Sequence, residues 1–163
     1  YGGIMKFINT LLLLSVFIVC YGGVKLTTTQ KFKNKIKGAD KIVVRNGGDI
    51  CCAEAQKTLK QPVYFTITDP EEIKEVFDNL SFRGGIVENN CMCCGYPGID
   101  WYKNGKRICL SASKHGDGLM IKGQIWRFSA KSKVWLAKWL LKHKFPDKYK
   151  EMRKIVGKSK KNK

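Results

Sequence analysis

The dipeptide Asn104-Gly105 sits between two alternating runs, "GIDWYK" before it and "KRICLS" after it. Asn-Gly is the favoured pair for a two-residue type I′ hairpin turn, because both positions need a positive φ. With the turn centred there, Trp101 faces Ile108 and Ile99 faces Leu110 on one apolar side. Asp100 then faces Cys109, and Tyr102 faces Arg107, on the other. A slip of one residue would turn every side chain to the opposite face, so the apolar side argues for this register.

The rest of the chain supplies partners for that hairpin. "KIVVRNGG", Lys41 to Gly48, reads as a strand ending in a turn, and "PVYFTIT", Pro62 to Thr68, as a second strand rich in β-branched and aromatic residues. Thr29 to Ile36 suits a short amphipathic helix. "DPEEIKEVFDNL" has stronger helix signals. Asp69 stands at the N-cap and Pro70 at the first helical position, with Glu71 and Glu72 in the first turn, where the helix dipole favours negative charge. Ile73, Val76, Phe77 and Leu80 follow at helical spacing as one buried stripe. After Gly116-Asp117-Gly118 a further strand runs from Leu119 to Trp126. A last helix starts near Ser129 or Ser132 and runs to about His143, burying Trp135, Leu136, Trp139 and Leu140. Pro146 stops it. This order implies an α+β domain, with an antiparallel sheet of about four to five strands and two or three helices packed on it. The domain spans 26–145. A leader or anchor precedes it over 1–24, and a basic tail follows over 146–163.

Beyond Cys20 the chain carries Cys51, Cys52, Cys91, Cys93, Cys94 and Cys109. An even number of cysteines in an exported chain points to disulfides, and all six are candidates. Adjacent cysteines rarely bridge each other, so Cys51-Cys52 is expected to reach elsewhere, to the Cys91–Cys94 cluster or to Cys109. Cys91 and Cys94 also form a Cys-x-x-Cys. A redox pair of that kind wants its nucleophile at a helix N-terminus. Here Gly95-Tyr96-Pro97-Gly98 and a strand follow instead. Hairpin pairing, continued outward, brings His115 opposite position 94. Cys91, Cys93, Cys94 and His115 are therefore candidate ligands for zinc or another thiophilic metal, as the alternative to crosslinks. No catalytic constellation emerges. Asp100, Asp117 and His115 have no nucleophile motif beside them, and Arg83-Gly84-Gly85 is too short for a phosphate loop. His143, at the end of a helix, complements its dipole.

The stretch "CMCCGYPGIDWYKNGKRICLSASKHG" resembles a set of small bacterial proteins, often exported. They carry Cys-x-Cys-x-Gly, a Pro, a strand with an aromatic residue, a His-Gly and an aromatic-rich helix. The matching residues are Cys91, Cys93, Gly95, Pro97, Tyr102, His115, Gly116 and Trp139, and the likeness covers Cys91 to His143. Members of that set often have two adjacent histidines where this chain has Lys114-His115. The resemblance implies no established activity.

Localisation is read from "MKFINTLLLLSVFIVCYGG", starting at Met5. Lys6 is a short positive region and Leu11 to Val19 an apolar one. Small residues follow at Cys20, Gly22 and Gly23, which is the anatomy of a secretory signal. "FIVC" also resembles a lipobox with Cys20 as the lipidated residue. Alternatively, Phe7 to Val24 forms an uncleaved anchor, marginal for a hydrocarbon core of about 30 Å. With that anchor, Lys25, Lys31, Lys33, Lys35 and Lys37 would hold the C-terminal side in the cytoplasm. The domain is read as exported, periplasmic or membrane-anchored. The charge bears on partners. Lys and Arg total 31 against 13 Asp and Glu, a net charge of +18. Thirteen of the basic residues fall between Lys131 and Lys163. "KIVGKSKKNK" is poor in apolar residues and is expected to fray. Such a tail favours an anionic membrane surface or an acidic polymer. It has no aromatic residues for base stacking, which argues against sequence-specific nucleic-acid binding. The sequence thus suggests a small exported or membrane-anchored module of the cell envelope, non-catalytic and built for binding or structure. The alternative is a zinc-like protein using Cys91, Cys93 and His115.

Overall fold

A computed structural model describes residues 25–48, 62–88, 93–146 and 150–161. The apolar N-terminal segment, Cys51, Cys52 and Cys91 lie outside the described residues. Four helices and seven strands are described: α1 (Thr28–Lys35), β1 (Lys41–Arg45), β2 (Val63–Ile67), α2 (Pro70–Asn79), β3 (Phe82–Glu88), β4 (Gly98–Lys103), β5 (Lys106–Lys114), β6 (Gly118–Ile121), β7 (Gln124–Phe128), α3 (Ala130–Lys142) and α4 (Glu151–Lys161). The strands form one sheet in the order β2-β1-β4-β5-β6-β7-β3, every neighbouring pair antiparallel. The α+β class is as expected, but four to five strands and two or three helices were too few. Among the described residues no helix is long and apolar enough to cross a membrane.

Two strands escape the sequence reading for local reasons. The run from Leu119 to Trp126 is a hairpin, not one strand. Lys122 and Gly123 both take positive φ, 51° and 77°, and turn the chain between β6 and β7. β3 holds Gly84 at φ 66°, inside the Arg83-Gly84-Gly85 triplet that looks like loop punctuation. Its Phe82 and Ile86 nonetheless face Phe128 and Trp126 of β7. The tail also differs from expectation. Glu151–Lys161 is helix, with Met152 buried and α4 lying along α3.

The helix termini follow their sequence signals. Asp69 accepts the Glu71 amide and caps α2, with Pro70 opening the helix. Ser129 caps α3 by accepting the Ser132 amide. The Ser132 hydroxyl donates to Asn79 O at 2.6 Å, tying the start of α3 to the end of α2. Thr27 and Gln30 form a capping box on α1.

The sheet register sorts side chains onto two faces. Ile42, Val44, Ile67, Ile99, Trp101, Leu119, Ile121, Trp126, Phe128 and Phe82 share the face under the helices. Phe32 of α1 is fully buried there, its ring 4.8 Å from Phe82, 5.7 Å from Trp101 and 6.1 Å from Trp126. The opposite face carries Arg45, Asp100, Ala112, Lys114 and Met120, all buried as well.

The central hairpin corrects the expected register. Asn104 and Gly105 take φ 50° and 74°, as a type I′ turn requires, and Tyr102 faces Arg107 as read. A bulge between Trp101 and Tyr102 then shifts the pairing by one residue. Trp101 therefore faces Cys109, Ile99 faces Ser111 and Asp100 faces Leu110. Ile108, the residue left over, is among the exposed large apolar side chains, while Cys109 is buried under the helices. Trp101 and Ile99 share a face in either register; the bulge instead turns β5 over, so that Cys109, Ser111 and Ser113 face the helices and Leu110, Ala112 and Lys114 the opposite side.

Candidate functional site

The register shift decides what meets the cysteine cluster. Beyond β4 the chain keeps to the end of β5: Tyr96 N donates to Ser113 O at 2.6 Å, and Ser113 N to Pro97 O at 2.8 Å. Gly95, at φ 78°, lets the backbone pass close to β5. A Cβ there would stand 2.8 Å from Ser113 O and 2.9 Å from the Ala112 Cβ. Residues 93 and 94 thereby reach the end of β5, at Lys114 and the turn that follows.

That turn is built on two left-handed residues, His115 at φ 49° and Gly116 at φ 68°, and is closed by Asp117 N donating to Lys114 O at 2.8 Å. Residues other than glycine are uncommon in this conformation, which costs of order 1 kcal/mol or more. His115 Nε2 lies 3.3 Å from Cys93 Sγ. Lys114, on the buried sheet face and only 6% exposed, donates from Nζ to the same sulfur at 2.7 Å. The half-buried Cys93 thiol is thus met by an imidazole from the turn and an ammonium from the strand.

A second layer holds this end of the sheet. The Arg45 guanidinium grips Asp100 through two parallel bonds, Nε to Oδ2 at 2.9 Å and Nη2 to Oδ1 at 3.1 Å. Arg107 Nη1 adds a longer one at 3.4 Å. Arg45 Nη2 also donates to Gly48 O at 3.0 Å and so fixes the chain leaving β1. Gly48 in turn presses on Cys94, where any Cβ would collide with the Cys94 carbonyl oxygen and Cβ. Asp100 and Arg45 are 1% and 3% exposed, so each needs the other to offset the cost of burying its charge.

The candidate residues separate as follows. Cys93 and His115 are brought together. Cys94 is disulfide-bonded, which leaves it no thiolate for a metal. Cys109 carries a thiol on the helix-covered face, where its Sγ points to Leu110 O at 3.9 Å. Cys51, Cys52 and Cys91 lie outside the described residues. Among the described residues no three Cys, His, Asp or Glu side chains are grouped as a metal would need. Asp117 pairs with Lys133 of α3. Asp100 lies in the Arg45 pair, so the two aspartates form no triad with His115.

Lys114 is the residue the sequence reading missed. Only its place beside His115 hinted at it, because a lysine at a strand end looks like a solvated charge. His143 also does more than face a dipole. Its Nε2 lies 2.6 Å from Glu72 Oε1, and its ring stacks on Phe65 at 4.6 Å. Trp139 Nε1 and Lys142 Nζ donate to the same Glu72 oxygen at 3.1 Å and 3.4 Å. Burial pushes the Glu72 carboxyl up, but His143, Trp139 and Lys142 together outweigh it and hold the group below its ordinary range. This cluster bolts α3 to α2, away from the cysteines.

No family model matches the chain, and no curated protein or solved structure matches it either.

Proposed function

We propose that the protein is a small exported or membrane-anchored module of the cell envelope, acting by binding and structural support rather than turnover. The observation that supports this most is the disulfide at Cys94, since such bonds persist in oxidising compartments and are rare in the cytosol. The apolar run after Met5 and the likeness to small exported proteins point the same way. Cys51 and Cys52 are the favoured sources of the partner sulfur, because Gly48, which touches Cys94, precedes them by only a few residues.

Its partner is an anionic surface, a membrane or an acidic polymer. Lys133, Lys154 and Lys158 line a groove of about 380 Å³ between α3 and α4, with Val134 and Ile155 among its apolar lining. An apolar floor with a lysine rim suits a surface that offers both negative charge and hydrocarbon.

The zinc alternative draws support from the Cys93–His115 contact. Lys114 weighs against it, since an ammonium 2.7 Å from the sulfur would repel a cation placed there. Thiol counting by mass spectrometry with and without reductant, combined with elemental analysis of the purified chain, tests the reading. The expected result is Cys94 oxidised and no stoichiometric metal. Bound zinc with Cys94 reduced would replace the module by the metal protein.

A further inference from the structure

Cys93 stands out because two consecutive side chains, Lys114 and His115, both meet its sulfur. The Gly95 approach delivers the chain to the end of β5. The buried stem of Lys114 carries an ammonium to the sulfur, and a left-handed turn holds the His115 imidazole on it. A buried structural cysteine needs none of this. Cys109 has a backbone carbonyl beside its sulfur and an apolar setting. Thiol, base and cation within hydrogen-bond reach are the parts of an activated nucleophile.

We infer that Cys93 is a nucleophilic thiol that exchanges with low-molecular-weight disulfides carrying carboxylates, forming a mixed disulfide on the protein. This goes beyond the binding role proposed above and does not depend on it. In the exchange, His115 Nε2 accepts the Cys93 proton as Sγ attacks one sulfur of the small disulfide. The bond from Sγ to that sulfur forms and the small disulfide's own S–S bond breaks. The departing thiolate takes the proton from His115 and leaves as a thiol. The small disulfide is the oxidant, so no other redox partner is needed. Lys114 donates to the attacking sulfur and offsets its negative charge. The net charge of +18 raises the local concentration of an anionic disulfide over a neutral one.

The test uses the full chain with its native disulfide intact and oxidised glutathione as the probe, read by intact mass and peptide mapping. The expected product carries one glutathionyl group on Cys93 and none on Cys109. His115→Gln, on an exposed turn, keeps the fold by circular dichroism and reacts about tenfold or more slowly, the lower range of general-base effects. Lys114→Met slows reaction with oxidised glutathione more than with neutral bis(2-hydroxyethyl) disulfide. Cys93 reacting no faster than Cys109, or folded His115→Gln reacting at the parent rate, overturns the inference. Neither result touches the Cys94 disulfide, on which the envelope reading rests, so the two can fail separately.

Discussion

Arg45 and Asp100 form a bidentate ion pair across β1 and β4, on the sheet face away from α1–α3, with both side chains almost wholly buried. The pair is also a tether, because Arg45 reaches on to Gly48 O and so positions the chain against Cys94. Removing one member strands a buried charge. Asp100→Ala should cost about 3–5 kcal/mol in urea unfolding, whereas replacing both by apolar residues of similar volume should recover most of that loss. Equal losses in the single and double variants would show that the pair's burial is not what matters.

Gly95 gives a second check on how the thiol is positioned. Its φ of 78° and its approach to Ser113 O leave no room for a side chain. Gly95→Ala should destabilise by more than about 1 kcal/mol and, where the variant still folds, should detach Cys93 from His115. Thermal unfolding reads the first effect. The second appears as a change in the His115 imidazole resonances by NMR. Unchanged resonances in a folded Gly95→Ala protein would place the Cys93–His115 contact under other control.

The Glu72 cluster sets an acid limit on stability. Its carboxyl is held below its ordinary value of 4.5 in the folded chain. A depressed folded value means that the carboxylate's contribution is fully present above the unfolded value. It is lost as pH falls from there through the folded one. The groups facing it are His143, Trp139 and Lys142. Unfolding free energy followed from neutral to strongly acid pH should therefore decline below about pH 4.5, and Glu72→Gln should flatten that part of the profile. An identical decline in the Gln variant would assign the acid loss to other carboxylates.

Much of the architecture could be read from local chemistry. Asp69-Pro70, Ser129 and Asn104-Gly105 each do in the fold what their side chains and φ preferences dictate. What escaped was non-local. Nothing in "KRICLS" marks Ile108 as the bulged residue, since the bulge is a property of how β5 pairs with β4 and not of the run itself. Lys122-Gly123 turns the chain with a lysine in place of the usual asparagine, so its hairpin looked like one strand. At the site, extending the hairpin set His115 opposite position 94 and left Cys91, Cys93 and Cys94 equally open; the bulge then moved the pairing by one residue, and Cys93 is the cysteine that meets His115. The role of Lys114 was not legible, because it depends on which face of β5 ends up buried.

The helical tail changes how an anionic surface would be met. Lys154 and Lys158 are exposed on α4, while Met152 is buried. Lys154→Glu with Lys158→Glu should weaken binding to vesicles containing phosphatidylserine without unfolding the domain. Binding by the parent protein should fall steeply as salt is raised. Binding that is insensitive to both would remove the basic helix from the interface.

Peptide mapping of the native chain, alkylated without reductant, bears most directly on the envelope reading. Cys94 should emerge in a disulfide-linked peptide and Cys93 should carry the alkyl label. Recovery of Cys94 as an alkylated thiol from freshly isolated protein would contradict it.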